Sequence, residues 1–173
     1  MRSDRPQLTL CSIDLERHAD ICVRFCEDAI QGSFGSTDSF HGADGQGATR
    51  YLARLRQRQE SLPGSAMHAW LDGRIVGQIQ MSILSQHPPA LGYVSLFYLL
   101  PQWRGNRLGD ELQAYAMQFF AGLGCSAVRL SAHPTNRPEW RFYQRHGWQD
   151  LGPREDEPSV HLLHKDLSGT ALT

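Results

Sequence analysis

No stretch of this 173-residue sequence approaches the roughly 18 consecutive apolar residues of a membrane span. The longest apolar run is Leu96 to Leu100. Met1-Arg2-Ser3-Asp4-Arg5-Pro6 leads into no long apolar segment, so the sequence reads as lacking a secretory signal. Cysteine is scarce. Cys11, Cys22, Cys26 and Cys125 make no CxxC pair, and no His/Cys cluster has zinc-finger spacing. Cys22 and Cys26 fall one helical turn apart, where both pack as small apolar residues. His161 and His164 fall on opposite faces of a predicted strand and make no metal pair. A reduced cytoplasmic protein without a metal is the expectation. Excess charge is lacking too: 17 Lys+Arg against 18 Asp+Glu gives a formal charge of −1. That speaks against a chain built to grip nucleic acid or an anionic membrane.

What is present is ordinary globular composition, with 40% apolar and 20% charged residues. Length predicts one domain, 1–173. Leu8 to Ile13 reads as a strand. Asp14 to Ile30 has helical spacing, with Leu15, Ala19, Cys22, Phe25, Cys26 and Ala29 on one side. Gln31 to Gly47 holds five glycines and predicts a mobile loop, which also carries Phe34, Asp38, Phe40 and His41. Thr49 to Glu60 predicts a second helix whose outer face carries Arg50, Arg54, Arg56 and Arg58, read as a solvated face.

Ser65 to Leu71 and Arg74 to Ile83 are strands joined by Asp72-Gly73, a strong hairpin signal. Tyr93 to Leu100 is apolar on both faces and predicts a central strand. Gly105 to Leu123 predicts a long helix stopped by Gly124. Ala127 to Ala132 is a strand. Asn136 to His146 is a short helix, with Asn136 as its cap and Glu139 three residues on. Val160 to Leu167 is the last strand, and Gln149 to Gly152 is a candidate addition to the sheet. The order β-α-α-β-β-β-α-β-α-β predicts an α+β fold with a mostly antiparallel sheet and helices on its faces.

Two segments carry chemistry. In the first, a central strand ended by Pro101 leads to a loop holding Arg104, Gly105, Arg107 and Gly109, and a long helix begins at once. Unpaired backbone N–H groups at a helix start, reinforced by the helix dipole, bind phosphate oxygens. Glycines admit the ligand, and Arg104 or Arg107 can neutralise it. The second segment runs from Asn136 through Tyr143 to Gly147-Trp148.

Together, in this order and spacing, the segments resemble the GNAT family of N-acetyltransferases. The family's acyl-CoA loop has the form Gln/Arg-x-x-Gly-x-Gly/Ala. Arg104 matches its first position and Gly109 its last, while Arg107 stands where glycine is usual. An asparagine followed seven residues later by tyrosine, in a helix ending at Gly-aromatic, matches Asn136, Tyr143 and Gly147-Trp148. The resemblance covers about 8–167.

The resemblance implies a sheet splayed after the fourth strand and acetyl transfer from acetyl-CoA to a primary amine of a small molecule or peptide. It implies that Arg104 to Gly109 hold the pyrophosphate, and that strand backbone near Tyr98 and Leu99 pairs with the pantetheine arm. A backbone N–H near Leu99 would donate to the thioester oxygen. Asn136 would contact the coenzyme or the helix start, and Tyr143 would protonate the leaving thiolate. Many relatives place a carboxylate on the central strand or on the strand before Asn136. Here neither strand carries one, and Ser131 stands where some relatives have Glu. His133 is the nearest obvious base, with water chains from Ser95 or Tyr93 as alternatives. The acceptor would approach near the N-terminal helices, which makes the 31–47 loop a candidate lid. In that lid Asp38 would bind an ammonium and Phe34 and Phe40 would pack its stem.

Two other classes remain open at this point. The missing strand carboxylate and Arg107 motivate a non-catalytic acyl-CoA-binding module. The basic helix Arg50 to Arg58 motivates nucleic-acid binding, which the net charge disfavours. A homodimer is compatible with the resemblance.

Overall fold

The computed structural model describes residues 5–167. Most of the N-terminal segment read above for a signal, 1–4, lies outside the described residues, as do 168–173. The elements run β1 (Thr9–Ser12), α1 (Leu15–Phe34), α2 (Asp38–His41), α3 (Gly47–Ser61), β2 (Ala66–Leu71), β3 (Arg74–Ser85), β4 (Leu91–Leu99), α4 (Leu108–Gly122), β5 (Ala127–Ala132), α5 (Arg137–Arg145), β6 (Gln149–Pro153) and β7 (His161–Asp166). A short 3-10 turn, Pro101–Trp103, precedes α4. The strands hydrogen-bond in the order β1-β2-β3-β4-β5-β7-β6. The β4–β5 pair is parallel, and β1–β2, β2–β3, β5–β7 and β6–β7 are antiparallel. This is the mixed, mostly antiparallel sheet that the sequence predicts.

The chain divides into two compact units, one from Met1–Gln80 with Leu96–Tyr115 and the other from Met81–Ser95 with Ala116–Thr173. In the first, strand alternation sends side chains to two faces. On one face Ala69, Leu71, Val76 and Leu99 pack with Leu108 and Leu112 of α4. On the other, Ala66 packs with Ile13, Cys22 of α1, and Tyr51 and Leu55 of α3. Asp72 (φ 48°) and Gly73 (φ 75°) both take positive φ, the geometry that matches the twist of a tight hairpin. Gly77 is required by a close approach: a Cβ there would meet the Tyr98 carbonyl oxygen at 2.5 Å. Asp14 caps α1 by accepting from the N–H groups of Glu16 and Arg17.

In the second unit, Leu91–Val94 pair with Ala127–Leu130, and that ladder ends at Val94 although β4 continues to Leu99. Gly92 makes room for the Phe120 ring. The strand β6, only a candidate in the sequence, pairs with β7.

Several expectations are corrected. The predicted mobile loop 31–47 is largely ordered: α1 runs on to Phe34, Gly35 (φ 73°) ends it, and α2 follows. Apolar contacts explain this, because Phe40 stacks edge-on against Tyr51, with ring centroids 5.6 Å apart. The predicted helix from Gly105 begins instead at Leu108, because Gly105 (φ 81°) and Arg107 (φ 63°) take left-handed backbone that a helix cannot contain. Asn136 occupies the cap position of α5, but its side chain makes no cap bond and donates to Glu139 instead, at 2.8 Å.

Candidate functional site

The first unit holds the strand-to-helix junction. Arg104, Gly105, Asn106 and Arg107 are all exposed, while Leu108 is buried and anchors the start of α4. Nothing lies within 4 Å of where a Cβ of Gly105 would sit, so the backbone there is open to a ligand. The left-handed φ of Arg107 explains why a glycine suits this position and shows that arginine occupies it at a steric cost of roughly 1–2 kcal/mol.

Arg104 does not point away from the protein. Its Nε donates to the Leu99 carbonyl at 2.8 Å. Its guanidinium lies 3.7 Å from Asp28 Oδ2 and 5.4 Å from the Tyr98 ring centroid. The Tyr98 hydroxyl donates to the same carboxylate. Burial, reinforced by the negative charge of Asp28, raises the Tyr98 phenol above its usual range. Backbone direction separates Tyr98 from Leu99. The Leu100 N–H donates to Val76 and the Tyr98 carbonyl abuts Gly77, so the peptide groups of Leu99 turn to the opposite edge of the strand. Of the two positions read from the sequence, Leu99 has the edge geometry for strand addition, and Tyr98 contributes its side chain.

The acceptor candidates of the first unit lie on α1 and α2. Phe34 is 53% exposed in the last turn of α1. Asp38 is exposed at the start of α2. Phe40 is half-buried and packs edge-on against Tyr51 beside the core of α1 and α3.

The second unit holds Tyr143, 4% exposed on α5. Its hydroxyl donates to Glu139 Oε1 at 3.0 Å, while Asn136 Nδ2 donates to Glu139 Oε2 at 2.8 Å. Glu139 therefore joins the two motif residues, a role not read from the sequence. The signal was there: three residues after Asn136 and four before Tyr143 is one helix face. Burial pushes the Tyr143 phenol well above its ordinary range, and the Glu139 charge and hydrogen bond add to that. His133 is buried at the end of β5, 9% exposed, with its carbonyl accepting from the Asn136 N–H at 3.1 Å.

A third cluster lies on the face of β4 and β5. Tyr93 Oη and Ser131 Oγ are 2.9 Å apart, and Arg154 Nη1 donates to the same Ser131 oxygen at 2.9 Å. Arg154 also grips Asp156 through Nε at 2.9 Å and Nη2 at 2.6 Å. The sequence did not show this contact, because Arg154 comes from the segment between β6 and β7.

Comparisons with known proteins agree with this architecture. The family model of the GNAT acetyltransferases matches residues 35–148. An aminoalkylphosphonate N-acetyltransferase of Salmonella typhimurium is 30% identical over 80 residues. That match covers 45% of this chain, and the chain spans about half (52%) of the length of that relative. Among solved structures, the PaiA N-acetyltransferase of Thermoplasma acidophilum in complex with coenzyme A superposes with a TM-score of 0.74 at 15% identity, covering 92% of this chain and 99% of that one. Ard1 of Thermoplasma volcanium gives 0.69 at 16%, covering 92% and 97%. Arabidopsis thaliana Naa50 in complex with the bisubstrate analogue CoA-Ac-MVNAL gives 0.65 at 12%, covering 92% and 98%. At these identities the structures speak for the fold, and the family model, spanning most of the chain, speaks for descent. The chain belongs to the GNAT acetyltransferase family.

Proposed function

We infer that this protein is an acetyl-CoA-dependent N-acetyltransferase acting on a primary amine of a small molecule or peptide. The observation that carries the reading is the junction after β4. An exposed loop with two left-handed residues, open space at Gly105 and a helix start at Leu108 suits a pyrophosphate. Relatives of this fold bind coenzyme A. When bound, the coenzyme supplies an acetyl thioester, and this chain's residues bind, orient and move protons.

Backbone N–H groups from Arg104 to Gly109 hold the phosphates, with Arg107 adding charge. The edge-facing peptide of Leu99 pairs with the pantetheine arm, and its N–H is the donor available to the thioester oxygen. Its carbonyl already accepts from Arg104 Nε and has one lone pair left for the arm. Asn136 holds Glu139, Glu139 accepts the Tyr143 hydroxyl hydrogen, and that hydroxyl turns from Glu139 to protonate the leaving thiolate. The phenol keeps its proton through neutral pH; its burial and the Glu139 charge hold that proton more tightly than in a free phenol, a cost that the transfer to the thiolate must meet. His133 is the protein group assigned to receive the acceptor's proton, and Phe34 and Asp38 remain exposed candidates for acceptor contact. The site needs no metal for this chemistry, and we place the enzyme in the cytoplasm.

Calorimetric titration with acetyl-CoA tests the reading, followed by an amine panel with thiol release as readout. Micromolar binding, about −8 kcal/mol, together with turnover supports it. Binding without turnover on any amine would favour a non-catalytic acyl-CoA sensor. The absence of binding at millimolar coenzyme would overturn both.

A further inference from the structure

The charge on the β4–β5 face is opposite to what deprotonation of a strongly basic amine requires. No Asp or Glu lies on β4 or β5, both fully described. Ser131, where some relatives carry Glu, instead accepts a hydrogen bond from a guanidinium, Arg154 Nη1, at 2.9 Å. The Asp156 bonds to Arg154 use Nε and Nη2 and leave Nη1 as the end directed at the strand. Asp156 is also the outer partner, 67% exposed against 35% for Arg154. Nη1 touches Ser131 while the carboxylate sits on the far side of the guanidinium, so the pair presents its positive end to Ser131. Other groups on this side do not reverse the sign. Arg129, paired with Tyr93 across β4 and β5, adds a second guanidinium and donates to His164 at 3.2 Å, while His164 faces Asp166 at 3.0 Å. Tyr93 bonds Ser131, and Glu139 on α5 is committed to Asn136 and Tyr143.

We propose that Arg154, acting through Ser131, selects acceptors that arrive as neutral, weakly basic amines, such as the N-terminal α-amine of a peptide, and disfavours lysine-like alkylammonium ions. The proposal rests on the acetyltransferase reading above and names the acceptor class for it. Its chemistry balances simply. The neutral amine nitrogen forms the amide bond, the C–S bond breaks, the thiolate takes a proton from Tyr143, and the surplus amine proton leaves to His133 or water and returns through solvent to the Tyr143 phenolate. Arg154 is a positioning residue here, since it sets the field at Ser131 without touching the reacting atoms.

At pH 7 the neutral fraction of an α-amine with a pKa of about 7.8 exceeds that of an alkylamine near 10.4 by roughly 300-fold. The test compares kcat/KM for an α-amine and an alkylamine of matched size across pH. The expected result is an α-amine preference on the order of 100-fold at pH 7, with an acidic limb that moves with the acceptor's own pKa. Arg154→Gln should shrink that preference about tenfold (some 1.4 kcal/mol), Arg154→Lys should keep it, and Ser131→Glu should raise alkylamine use. Calorimetry on each variant checks that acetyl-CoA affinity is retained, which separates a changed field from a misfolded protein. An alkylamine preference in the parent enzyme would overturn the proposal. So would an acidic limb fixed at one pH for both acceptors, or a preference unmoved by Arg154→Gln. Failure of the parent to bind acetyl-CoA is a different result. It would fell the acetyltransferase reading and this inference with it.

Discussion

Tyr143 has a geometry that its sequence position alone could not reveal. Held by Glu139 and buried, it keeps its proton far above neutral pH. Tyr143→Phe should therefore lower kcat by about 10²- to 10⁴-fold, the usual range for a lost acid, with acetyl-CoA affinity nearly unchanged. In the parent enzyme, kcat should show no alkaline decline from this group below about pH 10, since its pKa lies above the ordinary phenol value. His68 makes a prediction about stability. It is 1% exposed and its Nε2 faces Gln78 Oε1 at 2.8 Å. Burial lowers its pKa to about 4, His18 adds to the lowering, and the Gln78 bond opposes it. The unfolded chain binds this proton first, so the stability His68 contributes is present above about pH 6.5 and is lost as pH falls towards 4. Urea unfolding should show a loss on the order of 3 kcal/mol over that window, and His68→Gln should remove that part of the slope. The thiols differ similarly. Cys22 is pushed up to about 12 and Cys26 to about 11 by burial, while Cys11 is exposed. Brief alkylation of the native protein should label Cys11 first.

At the scale of elements, the loop before α4 shows where reading a motif stops and geometry begins. The sequence placed Arg104 to Gly109 at a strand-to-helix junction, where Arg104 to Arg107 form the loop and Leu108 and Gly109 open α4. The departure at Arg107 had no interpretation until its φ of 63° was known. Arg107→Gly should relieve left-handed strain and offset the extra freedom of an unfolded glycine, leaving stability within about 1 kcal/mol of the parent or higher. Thermal unfolding checks this, and titration of the same variant with acetyl-CoA isolates what the guanidinium charge contributes. Asp14→Ala should destabilise α1 by about 1 kcal/mol through loss of its cap. The misreading of 31–47 has a physical cause. Five glycines suggested disorder, but local composition says nothing about Phe40 finding Tyr51, a contact between elements.

At the scale of the whole molecule, ligand linkage offers a direct check. Acetyl-CoA at a hundred times its Kd should add about 2.7 kcal/mol to stability and raise Tm by roughly 5–10 °C. The fold class, the strand Ala127–Ala132, most of the strand that starts at Arg74 (read to Ile83, observed to Ser85) and the positions of both motif segments were legible along the chain, because hydrophobic period, turn residues and motif spacing are local properties. The strand Gln149–Pro153 was legible only in part, since a strand this short and polar is defined by its partner β7. Three relations were decided by tertiary structure alone: Arg104 turned onto Leu99 and Asp28, Glu139 joining Asn136 to Tyr143, and Arg154 set against Ser131. Two of them join residues from different elements, and the third needs the actual rotamers of one helix face. Sequence spacing determines which face a side chain leaves. Which charge it meets there depends on segments far away in the chain, and that charge governs the proton chemistry proposed for this site.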